Sequence, residues 1–476
     1  MKELYGMLPL PKLAFFGGSF TKIESVSGDF EDAAAVFADA VSKVFGAELS
    51  EGEDVYFAYD ESLLSDEYTI NVTSDGVFIN AGGEYGASYA AASLLQMMEM
   101  AEGGLKAPTS SIHDRPDCNY RGVMIDCARL HHPMSLIKRY VDMCWFYKIK
   151  YLHLHLTDDQ AYTLPCSVLD GITSEHNSYS ADEIAELVEY AKARAVQIVP
   201  EVDTPGHSKI LREKHPEIFG EKNIIRMSEE VIGTMKAIYS EVCDMFPYSE
   251  YIHIGADESS IMDWNECEES IAYGLRHGID IKDLGKDGSE YWRRAESLYV
   301  NYVNNMADAV IAKGRKPVMW EDLDKQFNHA VNKEITIMQF ENLYQLPATE
   351  IKSAFKIINC SWRPTYIVTP KWMWPKDECY KWNIGTFSAV HPDSPYYNGV
   401  YVMEDTTGIE GGQINAWGDF MAETENALEA EFDNVLHRAG ALAENTWNRE
   451  KRDDYARFLC RDERCEKIYR KMIENE

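Results

Sequence analysis

Tyr251-Ile-His-Ile-Gly-Ala-Asp-Glu-Ser259 is the stretch whose reading decides the fold. Ile252 and Ile254 alternate with polar or small residues, so the segment starts as a buried β-strand. It ends on Gly255 and Ala256, and then on two adjacent carboxylates, Asp257 and Glu258. Acids at the end of an apolar strand are costly to bury unless they are paired or used. In parallel α/β folds the C-terminal end of a strand is where chemistry is placed. Taken alone, the pair also fits a strand-to-helix turn with an Asp cap. The other strand ends of the chain shift that balance.

Seven more apolar strand candidates accompany this one. They are Gly122–Asp126, Tyr151–Leu156, Gln197–Val202, Pro317–Trp320, Ile335–Phe340, Phe355–Cys360 and Gln413–Trp417. Helical stretches separate most of them. Pro133–Tyr147 carries proline in the first turn, and Ser180–Arg194 opens with the capping-box pattern Ser180-Ala-Asp-Glu183. Ser228–Phe246 and Tyr291–Gly314 are long and amphipathic, and Glu423–Asn448 and Arg452–Asn475 would close the ring. Eight strands alternating with helices predict an α/β fold, a TIM (β/α)8 barrel, over residues 116–476. The preceding residues 1–115 read as a small α+β domain, with strands at Val55–Tyr59, Tyr68–Val72 and Val77–Asn80 and a helix at Tyr85–Met100. Lys106–Pro116 reads as the linker between the two. The aromatic-rich span Phe355–Gly412, with Trp362, Tyr366, Trp372, Trp374 and Trp382, reads as loops over the barrel mouth.

Composition narrows the partners. The chain has 476 residues and a net charge of −33, which argues against nucleic acid or an anionic membrane. No stretch approaches the length of a membrane span. Ten cysteines are scattered without a C-x-x-C pair, several of them inside apolar runs, which suggests free buried thiols in a reducing compartment. Met1–Leu13 lacks the pattern of a signal peptide, so a cytoplasmic location is expected.

The strand ends, read together, point to one mouth. They supply Asp126; His153, His155, Asp158 and Asp159; Glu201, Asp203 and His207; His253, Asp257 and Glu258; Trp320-Glu321-Asp322; and Trp417-Gly418-Asp419, with Arg121 preceding the first. Their convergence favours an active site over a set of unrelated caps. His153 and His155 share a strand face, and with Asp203 and His207 they make a zinc or iron shell conceivable. Carboxylate-paired histidines are the simpler reading, so no metal and no cofactor is expected. Trp320, Phe340, Trp362, Tyr366, Trp372, Trp374 and Trp417 are candidates to stack on a sugar face, whereas Trp145, Trp292 and Trp447 lie on helices and read as core. Acids and aromatics at one mouth suggest glycoside hydrolysis.

Residues 121–129 (Arg-Gly-Val-Met-Ile-Asp-Cys-Ala-Arg), His155–Gln160, Pro200–His207, His253–Glu258 and Trp417–Asp419, in that order, resemble glycoside hydrolase family 20, the β-N-acetylhexosaminidases. The resemblance spans roughly Asn119–Trp447, and the N-terminal unit is similar to the small domain that often precedes the family's barrel. It implies an exo-acting, retaining, substrate-assisted removal of terminal β-linked N-acetylglucosamine or N-acetylgalactosamine through an oxazoline-type intermediate, a recognised exception to two-carboxylate catalysis. Glu258 would be the general acid, with a raised pKa. Asp257 would stay ionised and hold the 2-acetamido group, and Asp158 and His207 would support the acid. Tyr366 would bond the acetamide oxygen, and Arg121 would grip sugar hydroxyls. Trp320, Phe340 and Trp417 would wall the acetamide pocket, with Trp362 and Asp419 also at the substrate.

Four departures bear on the substrate. Ala256 replaces a glycine of the family pattern, Phe340 stands where a third wall tryptophan is expected, Val368 stands where an aspartate follows the tyrosine, and Asp419 replaces a longer glutamate. The last two are expected to alter the O4 and O6 side of the sugar. Release of a disaccharide, as by lacto-N-biosidases, or of a 6-substituted N-acetylglucosamine is therefore the alternative. A non-catalytic carbohydrate-binding protein is the weaker one.

Overall fold

The structure is a computed structural model that describes residues 6–279, 288–343 (backbone only at 288–291), 345–368, 374–389, 392, 394, 397, 399–421, 424–450 and 453–474. Trp372 lies outside the described residues.

The first part of the chain builds a sheet from β1 (Leu13–Lys22), β2 (Ser25–Gly28), β3 (Ser50–Glu51), β4 (Val55–Tyr59), β5 (Tyr68–Thr73), β6 (Gly76–Ala81), β7 (Glu99–Ala101) and β8 (Gly104–Asp114). Its order is β1-β8-β5-β6-β4-β2-β3, with β7 on β8. The expected linker is mostly strand β8, inserted between β1 and β5. Pro108 misled the reading because proline breaks a strand ladder. Here it lies beyond the last rung to β5 (Ser110↔Val72) and beside the bulge in β1 between Phe16 and Phe20, so its missing N–H is tolerated.

The barrel strands are β9 (Tyr120–Asp126), β10 (Tyr151–His155), β11 (Gln197–Glu201), β12 (Tyr251–His253), β13 (Lys316–Trp320), β14 (Thr336–Gln339), β15 (Lys356–Asn359) and β19 (Ile409–Ala416). Successive pairings are parallel, and β15 and β9 both pair with β19, which closes the ring of eight. All eight coincide with the sequence candidates. The seventh position is made in two pieces. The ladder to β19 is held by β15 as far as Asn359↔Gly412, and β16 (Tyr366–Ile367) resumes it at Tyr366↔Asn415. A small outer hairpin, β17 (Thr386–Ser388) with β18 (Val400–Val402), completes the strands. The expected helices are present, and Ser180 and Glu183 form the capping box in both directions.

Strand parity sorts the side chains into layers. Tyr120, Tyr151 and Tyr251 pack against one another at the base of the barrel, the first two stacked at 4.5 Å. A polar layer of His153, Glu201, His253 and Gln413 lies above. Trp320, Phe340, Tyr366 and Trp417 form the top. Trp374 and Trp382 belong instead to the outer core. The Trp382 indole bonds the Thr386 carbonyl, and the Trp374 carbonyl receives Arg438. Trp145 and Trp447 are buried as expected, whereas Trp292 is half-buried against Phe327.

Arg121 has the opposite parity to Asp126 on β9 and sits at the other end of the strand, so it does not reach the mouth. Its guanidinium donates to the carbonyls of Lys148 (3.0 Å) and Cys118 (2.6 Å) and to the Tyr89 hydroxyl (2.5 Å). Tyr89 is on the helix Glu84–Met97, which is buried along nearly its whole length. That helix also reaches the barrel through Ser88 to Arg194 and Gln96 to Phe146. Arg121 is thus a strut between the first sheet's helix and the base of the barrel. Replacing Arg121 by Ala leaves buried acceptors unpaired, a destabilisation on the order of 3 kcal/mol. The expected outcome is a melting temperature lower by several degrees, with the turnover of the folded fraction unchanged. Loss of turnover with native stability would return Arg121 to the sugar site.

Candidate active site

The ends of β9 to β13 and of β19 contribute polar side chains, and the sharp turn after β12 places two. Gly255 has φ +67°, and a Cβ there would lie 1.8 Å from Asp203 Oδ1, so only glycine fits this approach. Ala256 follows at φ +80° and Glu258 at φ +47°, which is strained backbone for residues with a side chain. His207, on the loop after β11, has φ +41°. The Ala256 N–H bonds Asp203 Oδ1 (3.2 Å), and its carbonyl receives the Tyr299 hydroxyl. The two strand-end loops are therefore tied to each other.

His207 bridges the acids. Its Nε2 is 3.5 Å from Glu258 Oε2 and 3.9 Å from Asp257 Oδ2, and its Nδ1 is 3.5 Å from Asp158 Oδ2. The same Asp158 oxygen receives His155 Nε2 at 2.9 Å and Arg129 at 2.6 Å. Arg129 also pairs with Asp126 and Asp419, each at 3.0 Å, and lies over the Trp417 ring. Arg129, the last residue of the motif that begins with Arg121, is therefore the arginine at the mouth. The signal that would have found it is parity: once Asp126 points inward, Arg121 cannot.

The protonation directions differ from expectation. The Glu258 carboxyl is lowered, chiefly by its hydrogen bond from His207, against a smaller effect of burial. Burial opposes charge on His207, but Asp203, Asp158, Glu258 and Asp257 together hold it strongly protonated. Burial raises Asp257, which His207 draws down and Glu201 and Glu258 push further up. The acid expected to be raised is lowered, and the carboxylate expected to stay ionised is raised. Exposure accounts for much of this. The Glu258 side chain is 63 % exposed beside a cation, while Asp257 is buried and its Oδ1 has no hydrogen-bond partner. Asp203 is raised well above the usual range by burial and by Asp257.

Aromatic rings line the same end. Trp320 lies 5.7 Å from Trp417 and 5.9 Å from Phe340, ring centre to ring centre. Tyr366 is 6.2 Å from Trp417 and 6.3 Å from Phe340, with Trp362 stacked on it at 4.7 Å. Glu321, beyond Trp320, accepts the backbone N–H groups of Glu341 and Asn342, which anchors the loop that carries Phe340. Burial raises the Glu321 carboxyl to about 8. Val368 is buried and offers no polar atom. Of the residues given roles by the family resemblance, all except Arg121 are thus brought together: Glu258, Asp257, Asp158, His207, Tyr366, Trp320, Phe340, Trp417, Asp419 and Trp362.

Groups such as His153–Glu201–His253 and Asp203–His207–Asp257 bring donor atoms within 4.8 Å of one another. Both nitrogens of His153 and of His155 already have protein partners. The donors of those two histidines are committed to a hydrogen-bond network rather than aimed at a common point.

Comparison with known proteins places this geometry. Residues 118–450 match the catalytic domain of glycosyl hydrolase family 20, and residues 18–115 match domain 2 of the same family. The β-hexosaminidase of Akkermansia muciniphila is 26% identical over 428 residues, covering 81% of this chain and 80% of that one. Among solved structures, the exo β-N-acetylglucosaminidase of Vibrio harveyi superposes with a TM-score of 0.78 at 21% identity, covering 96% of this chain and 76% of that one. The β-N-acetylhexosaminidase of Bacteroides fragilis gives 0.76 at 22% identity, over 95% and 93%. The chain belongs to glycosyl hydrolase family 20, the β-N-acetylhexosaminidase family, and is a glycoside hydrolase. Among the described residues no helix is long and apolar enough to cross a membrane.

His207→Gln removes the cation beside Glu258. Losing a positive neighbour favours the neutral carboxyl, so Glu258 should titrate at higher pH in the variant, as read by carbon-13 NMR of labelled glutamate. An unchanged or lower titration would show that His207 is not the group that holds it down.

Proposed function

We propose that the enzyme removes terminal β-linked N-acetylhexosamine from oligosaccharides or glycoconjugates, with retention and with the substrate's own acetamide as nucleophile. The observation that carries this reading is the buried Asp257 carboxylate with one unpartnered oxygen, beside an exposed Glu258 and within an aromatic cup. Residues 1–115 serve as the supporting domain and 116–476 as the catalytic one.

The roles follow from the geometry. Asp257 Oδ1 lacks a donor, and a substrate amide N–H supplies one. That bond lowers the Asp257 pKa and turns the acetamide oxygen toward the anomeric carbon. As the C1–O bond to the leaving group breaks, the acetamide oxygen bonds C1, and Glu258 gives its proton to the departing oxygen. Water then adds to C1, Glu258 takes the water's proton, and the ring of the intermediate opens. His207, held by Asp158, stabilises the Glu258 carboxylate between the two steps. Tyr366 bonds the acetamide oxygen. Trp320, Trp417 and Phe340 exclude water around it, and Trp362 offers a stacking face. Arg129 takes over the hydroxyl-gripping role once assigned to Arg121.

One observation favours a second substrate reading. Asp419 is turned onto Arg129 and Val368 is apolar, so neither is poised to hold the far edge of a single terminal sugar. A disaccharide or a 6-substituted N-acetylglucosamine fits that arrangement.

The test is a panel of aryl β-glycosides carrying N-acetylglucosamine, N-acetylgalactosamine, 6-sulfated N-acetylglucosamine, lacto-N-biose and glucose. Cleavage of the 2-acetamido sugars with little release from glucose is expected, and comparable rates would sink the internal nucleophile. Glu258→Gln should lose about 100-fold or more on substrates with poor leaving groups. Productive binding requires one proton on Glu258 and none on Asp257. With Asp257 raised and Glu258 lowered, the two adjacent carboxyls compete for that proton. The pH profile of kcat/KM should then be a bell. It falls at low pH as both carboxyls protonate, and at high pH as the single proton leaves. A profile flat into the alkaline range would contradict these assignments.

A further inference from the structure

At the centre of the barrel, below the acids, Glu201 is fully buried and accepts from several directions. Its Oε2 receives His155 Nδ1 at 2.6 Å and His153 Nε2 at 3.0 Å. Its Oε1 receives the Trp320 indole N–H at 2.7 Å and has His253 Nδ1 at 3.0 Å. Two of these contacts lead to the site. Trp320 is a wall of the aromatic cup. His155 continues through its other nitrogen to Asp158, which meets His207, which meets Glu258.

We propose that Glu201 is a positioning residue that sets, from one carboxylate, both the charge of the His155–Asp158–His207 line behind the acid and the seat of the Trp320 wall. It touches no substrate. The proposal rests on the roles given above to Glu258 and Trp320, and names a control for them.

The charge argument is one of proton counting. An imidazole with a carboxylate at each nitrogen must donate from both, so His155 is an imidazolium. Its cation is what lets two buried carboxylates, Glu201 and Asp158, stand near each other ionised. The other charged groups around His155 are Asp126 at the end of β9 and Arg129 beyond it, Asp203 after β11, Asp257 after β12 and His153 on its own strand. His153 differs, because its Nδ1 accepts from Gln413, so it needs only one proton, and burial lowers it to about 4. Burial opposes charge on His155 too, but Glu201 and Asp158 overcome it and raise it well above the usual imidazole range. Without the Glu201 charge, one of the two anchors of that cation is gone. The proton on His155 is then lost at lower pH. Asp158 becomes a less shielded anion, and the setting of His207 beside Glu258 changes with it.

The experiment compares the native enzyme with Glu201→Gln, Glu201→Asp and Trp320→Phe. Nitrogen-15 NMR of labelled histidine follows His155 and needs no substrate, so it stands even if the substrate assignment fails. In the native enzyme His155 should carry both protons across the neutral and alkaline range. A neutral His155 at pH 7 would overturn the proposal without any variant. In Glu201→Gln, His155 should titrate at lower pH than in the native enzyme. The pH profile of kcat/KM should gain a corresponding ionisation, and kcat should fall about 10- to 100-fold on poor leaving groups, less on good ones. Glu201→Asp keeps the charge and should restore the native pH profile while kcat stays low. Trp320→Phe removes the indole donor together with part of the wall it forms. Combined with Glu201→Gln it should cost less than the product of the two single losses, because both act through one bond. A native pH profile and His155 titration in Glu201→Gln, with equal losses on all leaving groups, would mean that Glu201 only packs the barrel. Independent effects in the double variant would separate Trp320 from Glu201.

Discussion

A carboxylate buried in the middle of a closed barrel is stable only if the surrounding strands supply donors to it. Glu201 receives them from His153 and His155 of β10 and from Trp320 of β13, and His253 of β12 lies close against it with its Nδ1 taken by the Gly255 N–H, so three strands other than its own converge on one side chain. Burial works against its charge, but the neighbouring histidines hold it well below the usual carboxylate range. Much of the arrangement above depends on this convergence. It orients His155, and through it Asp158 and His207, and it fixes the Trp320 indole between the polar layer and the aromatic cup. The barrel below is filled by a stacked pair, Tyr120 and Tyr151, with Tyr251 edge-on to both, so the polar layer rests on an aromatic floor.

Much of this was legible in the chain because strands and their ends obey simple rules. Short apolar runs marked all eight barrel strands. The Ser180–Glu183 pattern marked a helix start, and polar groups beyond apolar runs marked the mouth. Less legible was what depends on which way a side chain turns. Arg121 and Arg129 belong to one motif of nine residues, and only the inward parity of Asp126 tells which is at the site. Pro108 disguised a strand because its position beside a bulge and beyond the neighbouring register is a fact of pairing, not of local sequence. Trp374 and Trp382 read as mouth aromatics because composition cannot tell an inner loop face from an outer one. The opposite directions in which Asp257 and Glu258 are shifted depend on exposure and on His207, and neither is written in adjacent residues.

The strain at the site follows from the same geometry. Gly255, Ala256 and Glu258 all occupy the left-handed region, and so does His207 on the neighbouring loop. Backbone in that region is held only where the surroundings over-determine it. Here Asp203 does so, by accepting the Ala256 N–H while closing off the space beside Gly255. The two carboxylates of the strand end are thereby presented from different directions, one buried and one open to solvent. That asymmetry makes them chemically distinct although they are adjacent in sequence.

The handover of the seventh strand from β15 to β16 has a consequence for how such a barrel changes over time. The ladder to β19 stops at Asn359 and resumes at Tyr366, and both halves pair with the same partner strand. Between them Trp362–Thr365 form a short helical turn that stays out of the register with β19. Chain can therefore be added or removed at this joint while hydrogen bonding on either side keeps the cylinder closed. The rim is replaceable there in a way that the floor is not, and lineages that share the cylinder can diverge in what they admit by editing a few residues at a single splice.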